Sequence, residues 1–163
     1  MSISMTNLEL KRLYDECNML YFNNELNSNI EVVWSNRMTR TAGTYKRKMD
    51  RKLHAVLFEK ITLSEPYHKK YPEEIRATLV HEMIHAKYPK DCHGSSFKAE
   101  MERLNREFNL GITVYSSGPA VINYHYICKE CGTIFERTNA ISNYHLYKCN
   151  CGGKLIEKRV SEK

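Results

Sequence analysis

Apolar residues recur near the start of the chain with the period of a helix. Leu10, Leu13, Tyr14, Cys17, Leu20 and Tyr21 fall at i, i+3, i+4, i+7, i+10 and i+11, one stripe down one face. Thr6 followed three residues later by Glu9 has the form of a capping box, so the helix begins there and ends near Asn23-Asn24. Cys17 lies on the stripe and reads as core filler. The pattern then changes. Residues 30–35, 41–48 and 53–63 are rich in β-branched and aromatic side chains and read as three strands, with Gly43 a bend in the second.

Helical signals return at Pro72, which suits a first helical position, with Glu73 and Glu74 in the first turn. The helix runs to about Lys87 and Pro89 stops it. Ile75, Ala77, Leu79, Val80, Met83, Ile84 and Ala86 make it apolar on almost every side, which marks a buried helix. A further helix, capped by Ser95 or Ser96, carries the stripe Phe97, Met101, Leu104 and Phe108 to about Asn109, where Gly111 can close it. Ser116-Ser117-Gly118-Pro119 reads as a linker, and beyond it the composition shifts to paired Cys, Tyr and Gly.

The buried helix contains a conflict. It carries His81, Glu82 and His85, and three ionisable groups in a core are costly unless something compensates them. His81-Glu82-Met83-Ile84-His85 reads H-E-x-x-H. Two His four residues apart share one helix face and reach one zinc ion, and the intervening Glu can take a proton from a zinc-bound water. A catalytic zinc needs a third protein ligand and an open position. His93 is placed for this, eight residues on; Glu107 and Cys92 are its rivals. The metzincin pattern fails, because Tyr88 and Asp91 stand where its Gly and third His would fall. His54, His68, His125 and His145 read as ordinary surface or strand residues.

Four of the six Cys crowd the C-terminal part. Cys128-x-x-Cys131 and Cys149-x-Cys151 are separated by 17 residues, and Gly follows the second Cys of each pair. Two such pairs read as a four-Cys zinc ribbon whose folding depends on its metal. C-x-C in place of C-x-x-C demands a tighter knuckle; His145 is an alternative ligand there. A secreted disulfide framework would spread its Cys differently.

His-Glu-Met-Ile-His-Ala followed by His93-Gly94-Ser95-Ser96-Phe97 resembles the SprT-like zinc metallopeptidases. The resemblance takes in Tyr21-Phe22-Asn23-Asn24-Glu25-Leu26, Ile61-Thr62-Leu63-Ser64 and the Cys-paired tail ending C-G-G-K-L, so it covers about residues 5 to 157. It implies His81, His85 and His93 as zinc ligands and Glu82 as general base. The family often has Gly before the third His, where this chain has Cys92. The fold expected is α+β and zincin-like: a small mixed or antiparallel sheet packed on helices, the H-E-x-x-H helix central. Residues 1–117 would form the peptidase core and 118–163 the ribbon. Spartan-like members cleave proteins crosslinked to DNA, so the resemblance implies a zinc endopeptidase stimulated by single-stranded or damaged DNA, with two zinc ions per chain.

Charge changes the picture only locally. Net charge is +6 and pI about 9.0. Arg37, Arg40, Lys46, Arg47, Lys48, Arg51 and Lys52 against Asp50 alone account for the whole excess, a patch suited to a polyanion or else a solvated hairpin. The ribbon half holds seven Lys and Arg against four Glu, and four thiolates on zinc would offset that +3. Met1 to Lys11 has no apolar signal region and no run reaches membrane-spanning length, so the expectation is a soluble, intracellular monomer, cytoplasmic or in the nucleoid or nucleus. Two other functions fit the sequence: a non-enzymatic zinc-ribbon protein that binds DNA, and a zinc peptidase without a nucleic-acid role.

Overall fold

The computed structural model describes residues 5–117 and 121–160. Helix α1 spans Asn7–Phe22, and its capping box forms as expected: the Glu9 N–H donates to Thr6 Oγ1 at 3.2 Å, and the Thr6 N–H donates to Glu9 Oε2 at 2.7 Å. Leu10, Tyr14, Cys17 and Tyr21 are buried. Leu20, expected on the same stripe, is 46 % exposed. Asn18 is buried instead, gripping the returning chain through two hydrogen bonds to the Leu26 backbone. Asn23 and Asn24 make that return with left-handed φ angles of 50° and 59°, which Asn tolerates better than most residues.

Strands β1 (Glu31–Ser35), β2 (Gly43–Asp50) and β3 (Ala55–Ser64) form a mixed sheet in the order β1-β3-β2. β1 runs parallel to β3, and β2 antiparallel to it. The hairpin sits about two residues later than the sequence pattern implied. Lys46, Arg47 and Lys48 lie within β2, and Arg51 and Lys52 occupy the turn. Ile61 and Leu63 of β3 point into one core shared with α1, with Leu79, Met83 and Ile84 of α3 (Ile75–Lys87), and with Phe97 and Leu104 of α4 (Ser95–Phe108).

Two helix ends differ from expectation. A six-residue helix α2 (Glu65–Lys70) follows β3 directly, capped by Ser64 and with Pro66 in its first turn. It is too short to show a hydrophobic period. Pro72–Glu74 then form a separate 3₁₀ turn before α3. At the end of α4 it is Asn109, with φ 52°, that turns the chain, not Gly111.

Strands β4 (Tyr124–Cys128), β5 (Ile134–Arg137) and β6 (Leu155–Arg159) form a second, antiparallel sheet in the order β5-β4-β6. Its centre is Tyr126, fully buried, whose hydroxyl donates to Glu157 at 2.6 Å and accepts from the Ile141 N–H at 2.7 Å. One central tyrosine is a small core for some forty residues. Lys70 approaches Glu136 at 3.9 Å across the two parts of the chain.

His68, read from sequence as an ordinary surface or strand residue, lies on α2 and is fully buried. Its Nδ1–H donates to the Ser64 carbonyl at 2.7 Å, so Nε2 accepts from the Thr78 hydroxyl at 2.9 Å. Burial holds its pKa below the usual 6.5, the Ser64 carbonyl opposing. The unfolded chain therefore takes up this proton before the folded one does. Stability due to the neutral ring is full above about pH 6.5 and is lost as pH falls below it. Urea midpoints measured from pH 7.5 to 5 should fall less steeply for His68→Gln than for wild type; equal slopes would show that His68 titrates alike in both states.

Candidate metal centre

Helix α3 sets the first two imidazoles one turn apart, with ring centroids at 5.1 Å. The third arrives through a constrained turn. The Asp91 carboxylate accepts from the Ser96 and Phe97 N–H groups at 2.7 and 3.2 Å, capping α4 in place of the expected Ser95 or Ser96 hydroxyl. A Cβ on Gly94 would lie 1.7 Å from that carboxylate, so any larger residue would displace the Asp91 cap. His93, at φ 59°, turns back over α3. His93 Nε2 then stands 3.1 Å from Nε2 of both His81 and His85. The rivals do not join: Glu107 is exposed and paired with Arg103 at 2.9 Å, and Cys92, though on the cleft wall, lies outside the three-histidine group. Phe97 packs against all three rings, with centroids 4.7–4.9 Å away.

These nitrogens suit a cation. The His81 Nδ1–H donates to the Thr113 carbonyl at 2.8 Å, which fixes the tautomer and leaves the Nε2 lone pair facing the other two. Burial pushes His81 and His85 down to about 4, so both are neutral at pH 7, the state a metal ligand needs. A tetrahedral ion with nitrogens at about 2.0–2.1 Å sets neighbouring nitrogens about 3.3 Å apart, close to what is found.

Glu82 lines the same cleft, 5 % exposed, beneath the Gly43 end of β2. Burial raises its pKa to about 8, against the pull of the Tyr45 backbone N–H. A Cβ on Gly43 would come within 3.0–3.1 Å of Leu63, Glu82 and Thr78. Gly43, expected as a bend, is a close approach of strand to helix.

The group opens into a cleft of about 600 Å³. One wall is Arg40 to Tyr45, ending in the edge strand β2; the other is the segment Thr113 to Ser117. That second wall is held at Ser117, whose N–H donates to Tyr67 Oη at 2.9 Å and whose hydroxyl donates to Glu74. Tyr67 Oη also donates to Glu74. Ser116 and Ser117, expected as linker, are thus part of the site; Gly118 and Pro119 lie outside the described residues. Gly43, Phe97, Thr113 and the Tyr67–Glu74 pair were not legible as site residues, because their roles come from long-range contact. The G-S-S-F run after His93 was the nearest signal.

The second cysteine-rich part gathers its own donors. Cys128 Sγ lies 3.5 Å from Cys151 Sγ, and Cys131 Sγ 3.6 Å from Cys149 Sγ, all four within 4.8 Å of one another. About 3.8 Å is expected between sulfurs tetrahedral about zinc at about 2.3 Å. Gly132 and Gly152, with φ 74° and 87°, close matching turns by donating to the Cys128 and Cys149 carbonyls. A Cβ on Gly153 would sit 2.5 Å from Cys128 Sγ, so the second glycine is needed as well. His145 is exposed and outside the cluster.

The seven basic residues are all exposed but are not one patch. Arg40 lines the cleft, Arg37 lies in the loop before it, and the other five ride the β2–β3 hairpin. No helix is long and apolar enough to cross a membrane among the described residues.

Residues 10–116 match the model of the SprT-like family. The chain is 38 % identical over 117 residues to DNA-dependent metalloprotease SPRTN of Xenopus tropicalis, covering 67 % of this chain and 26 % of that protein. It is 35 % identical over 185 residues to its Mus musculus namesake, covering 94 % and 35 %. It is 45 % identical over 49 residues to Protein SprT-like of Streptococcus pyogenes, covering 29 % and 33 %. The chain spans about a quarter to a third of these relatives' lengths. With the family match extending over most of the chain and across the three histidines and Glu82, this protein belongs to the SprT-like family.

Proposed function

We propose that the chain is a zinc-dependent endopeptidase that acts on DNA-bound or DNA-crosslinked proteins and is stimulated by single-stranded or damaged DNA. The observation that carries it is the convergence of three imidazole nitrogens beside a buried carboxylate in an open cleft. His81, His85 and His93 hold the ion. Bound zinc supplies Lewis-acid polarisation of a peptide carbonyl and lowers the pKa of a water toward about 7. Glu82 takes the proton of the attacking water and returns it to the amine nitrogen as the C–N bond breaks. Its dry surroundings favour a carboxyl that carries a proton between the two partners. Thr113 keeps His81 in the tautomer that binds metal.

The cleft supports a polypeptide substrate. β2 is an edge strand, and edge backbone pairs with an extended peptide. In this reading residues 1–117 are the peptidase core, and 118–163 form a zinc ribbon in which Cys128, Cys131, Cys149 and Cys151 hold a second, structural zinc. The DNA arm rests on the relatives' name and on the exposed basic residues.

The test is cleavage of a protein bound to single-stranded DNA, assayed with and without the DNA. Wild type should cleave faster with DNA, and Glu82→Gln should lose at least about 10²–10⁴ of the rate while keeping its zinc. An active Glu82→Gln protein would overturn the peptidase assignment. Equal rates with and without DNA would remove the DNA arm and leave the peptidase.

A further inference from the structure

Strand alternation divides the hairpin into two unlike faces. Ile61 and Leu63 turn to the core, and Tyr45, cross-strand from Ile61, shares that side. Glu59 follows the same parity; it accepts from the Tyr45 hydroxyl at 2.5 Å and stands opposite Arg47. Arg47 thus has an acid as its cross-strand neighbour. The outer face is different. Lys46 stands directly opposite Lys60, and Lys48 directly opposite Phe58. Like charges directly across a strand pair repel. Among the described residues the one acid within 4 Å of these lysines is Glu31, 3.5 Å from Lys60 and 59 % exposed. Phe58, an aromatic ring across from Lys48 and two positions from Lys60, is 46 % exposed. None of these side chains serves the core or the cleft.

We propose that this outer face, built from Lys46, Lys48, Lys60 and Phe58, docks a single strand of nucleic acid, its phosphates on the lysines and one base stacked on Phe58. The inference rests on the DNA reading above and adds where and how the strand is held. Lys46 and Lys48 are two strand positions, about 6.8 Å, apart on one face, so a backbone running along β2 meets them in succession. An unmatched basic strip attracts a polyanion, and an exposed ring beside the charges offers a π-face to any unpaired base, whatever its sequence. An acidic peptide would satisfy the lysines but leave the ring unused. A duplex would satisfy the lysines and keep its bases stacked away from Phe58. Beyond the β-bulge, Met49, Val56 and Leu57 continue the exposed apolar surface toward Leu53 at the turn, itself 76 % exposed. An anionic bilayer is the competing surface, and the test includes it.

The measurement is fluorescence anisotropy of a labelled oligothymidylate with the full, zinc-loaded chain across a salt series. Because the substituted side chains are exposed or half-exposed, the variants should keep the wild-type melting temperature within a few degrees, which is checked first. Phe58→Leu, which keeps the apolar bulk, should weaken binding roughly five- to hundredfold, and Phe58→Trp should restore it. On an abasic strand of the same length wild type and Phe58→Leu should bind alike. Lys46→Gln/Lys48→Gln should lower the slope of log K against log salt by about 1.4. If wild type binds the oligonucleotide but these variants bind as well as it does, this face is not the site and the DNA reading stands elsewhere on the chain. If the variants lose only binding to phosphatidylserine vesicles, the face is a membrane surface and the proposal is overturned. If wild type binds no oligonucleotide, both this proposal and the DNA reading fail, and the peptidase assignment is untouched.

Discussion

The His93 ring nitrogen meets those of His81 and His85 at 3.1 Å each, and His81 faces the others as a bare lone pair, because its ring proton is committed to the Thr113 carbonyl. Lone pairs brought this close repel unless a cation lies between them. Much of the core is organised around that demand. Helix α3 supplies two of the rings and, with its apolar residues, ties them to the sheet. The turn from Asp91 to Gly94 supplies the third, and Phe97, the first buried residue of α4, packs against all three. The ion-pairable position and the apolar core are thus the same construction.

The second part of the chain meets a similar constraint with softer donors. Its sheet has one fully buried tyrosine at its centre, and four sulfurs within 4.8 Å of one another tie the two glycine turns together. A small unit of this kind gains from a metal what it lacks in buried apolar surface. The two donor sets differ in kind: three nitrogens at an open cleft, four sulfurs gathered beside two glycine turns.

Much of this was legible in the chain. The spacing of His81 and His85, the capping box at Thr6 and the paired Cys are local patterns with local causes, and each took the form expected. His93 was one of three candidates until its turn was visible, because Asp91 reaching Ser96 and Gly94 yielding to Asp91 are contacts of loop geometry. Leu20 kept its place in the apolar period but lost its burial to Asn18, whose amide satisfies a loop backbone, a demand that hydrophobic periodicity does not register. α2 has six residues and no period, so His68 on it was misread as a surface group. The basic run from Arg37 to Lys52 looked like one patch in sequence, yet strand alternation sends Lys46 and Lys48 one way and Arg47 the other. What stayed hidden was every role that depends on a partner far along the chain: Gly43 under Glu82, Thr113 behind His81, Ser117 on Tyr67.

The central claim is that these histidines form a metal site separate from the cysteines. Zinc retained per chain, counted after dialysis against a weak chelator, tests it directly in wild type and in the double variant His81→Ala/His93→Ala. Wild type should retain two ions and the variant one, held by the four sulfurs. Two ions retained by the variant, or a wild-type chain that never holds more than one, would contradict it.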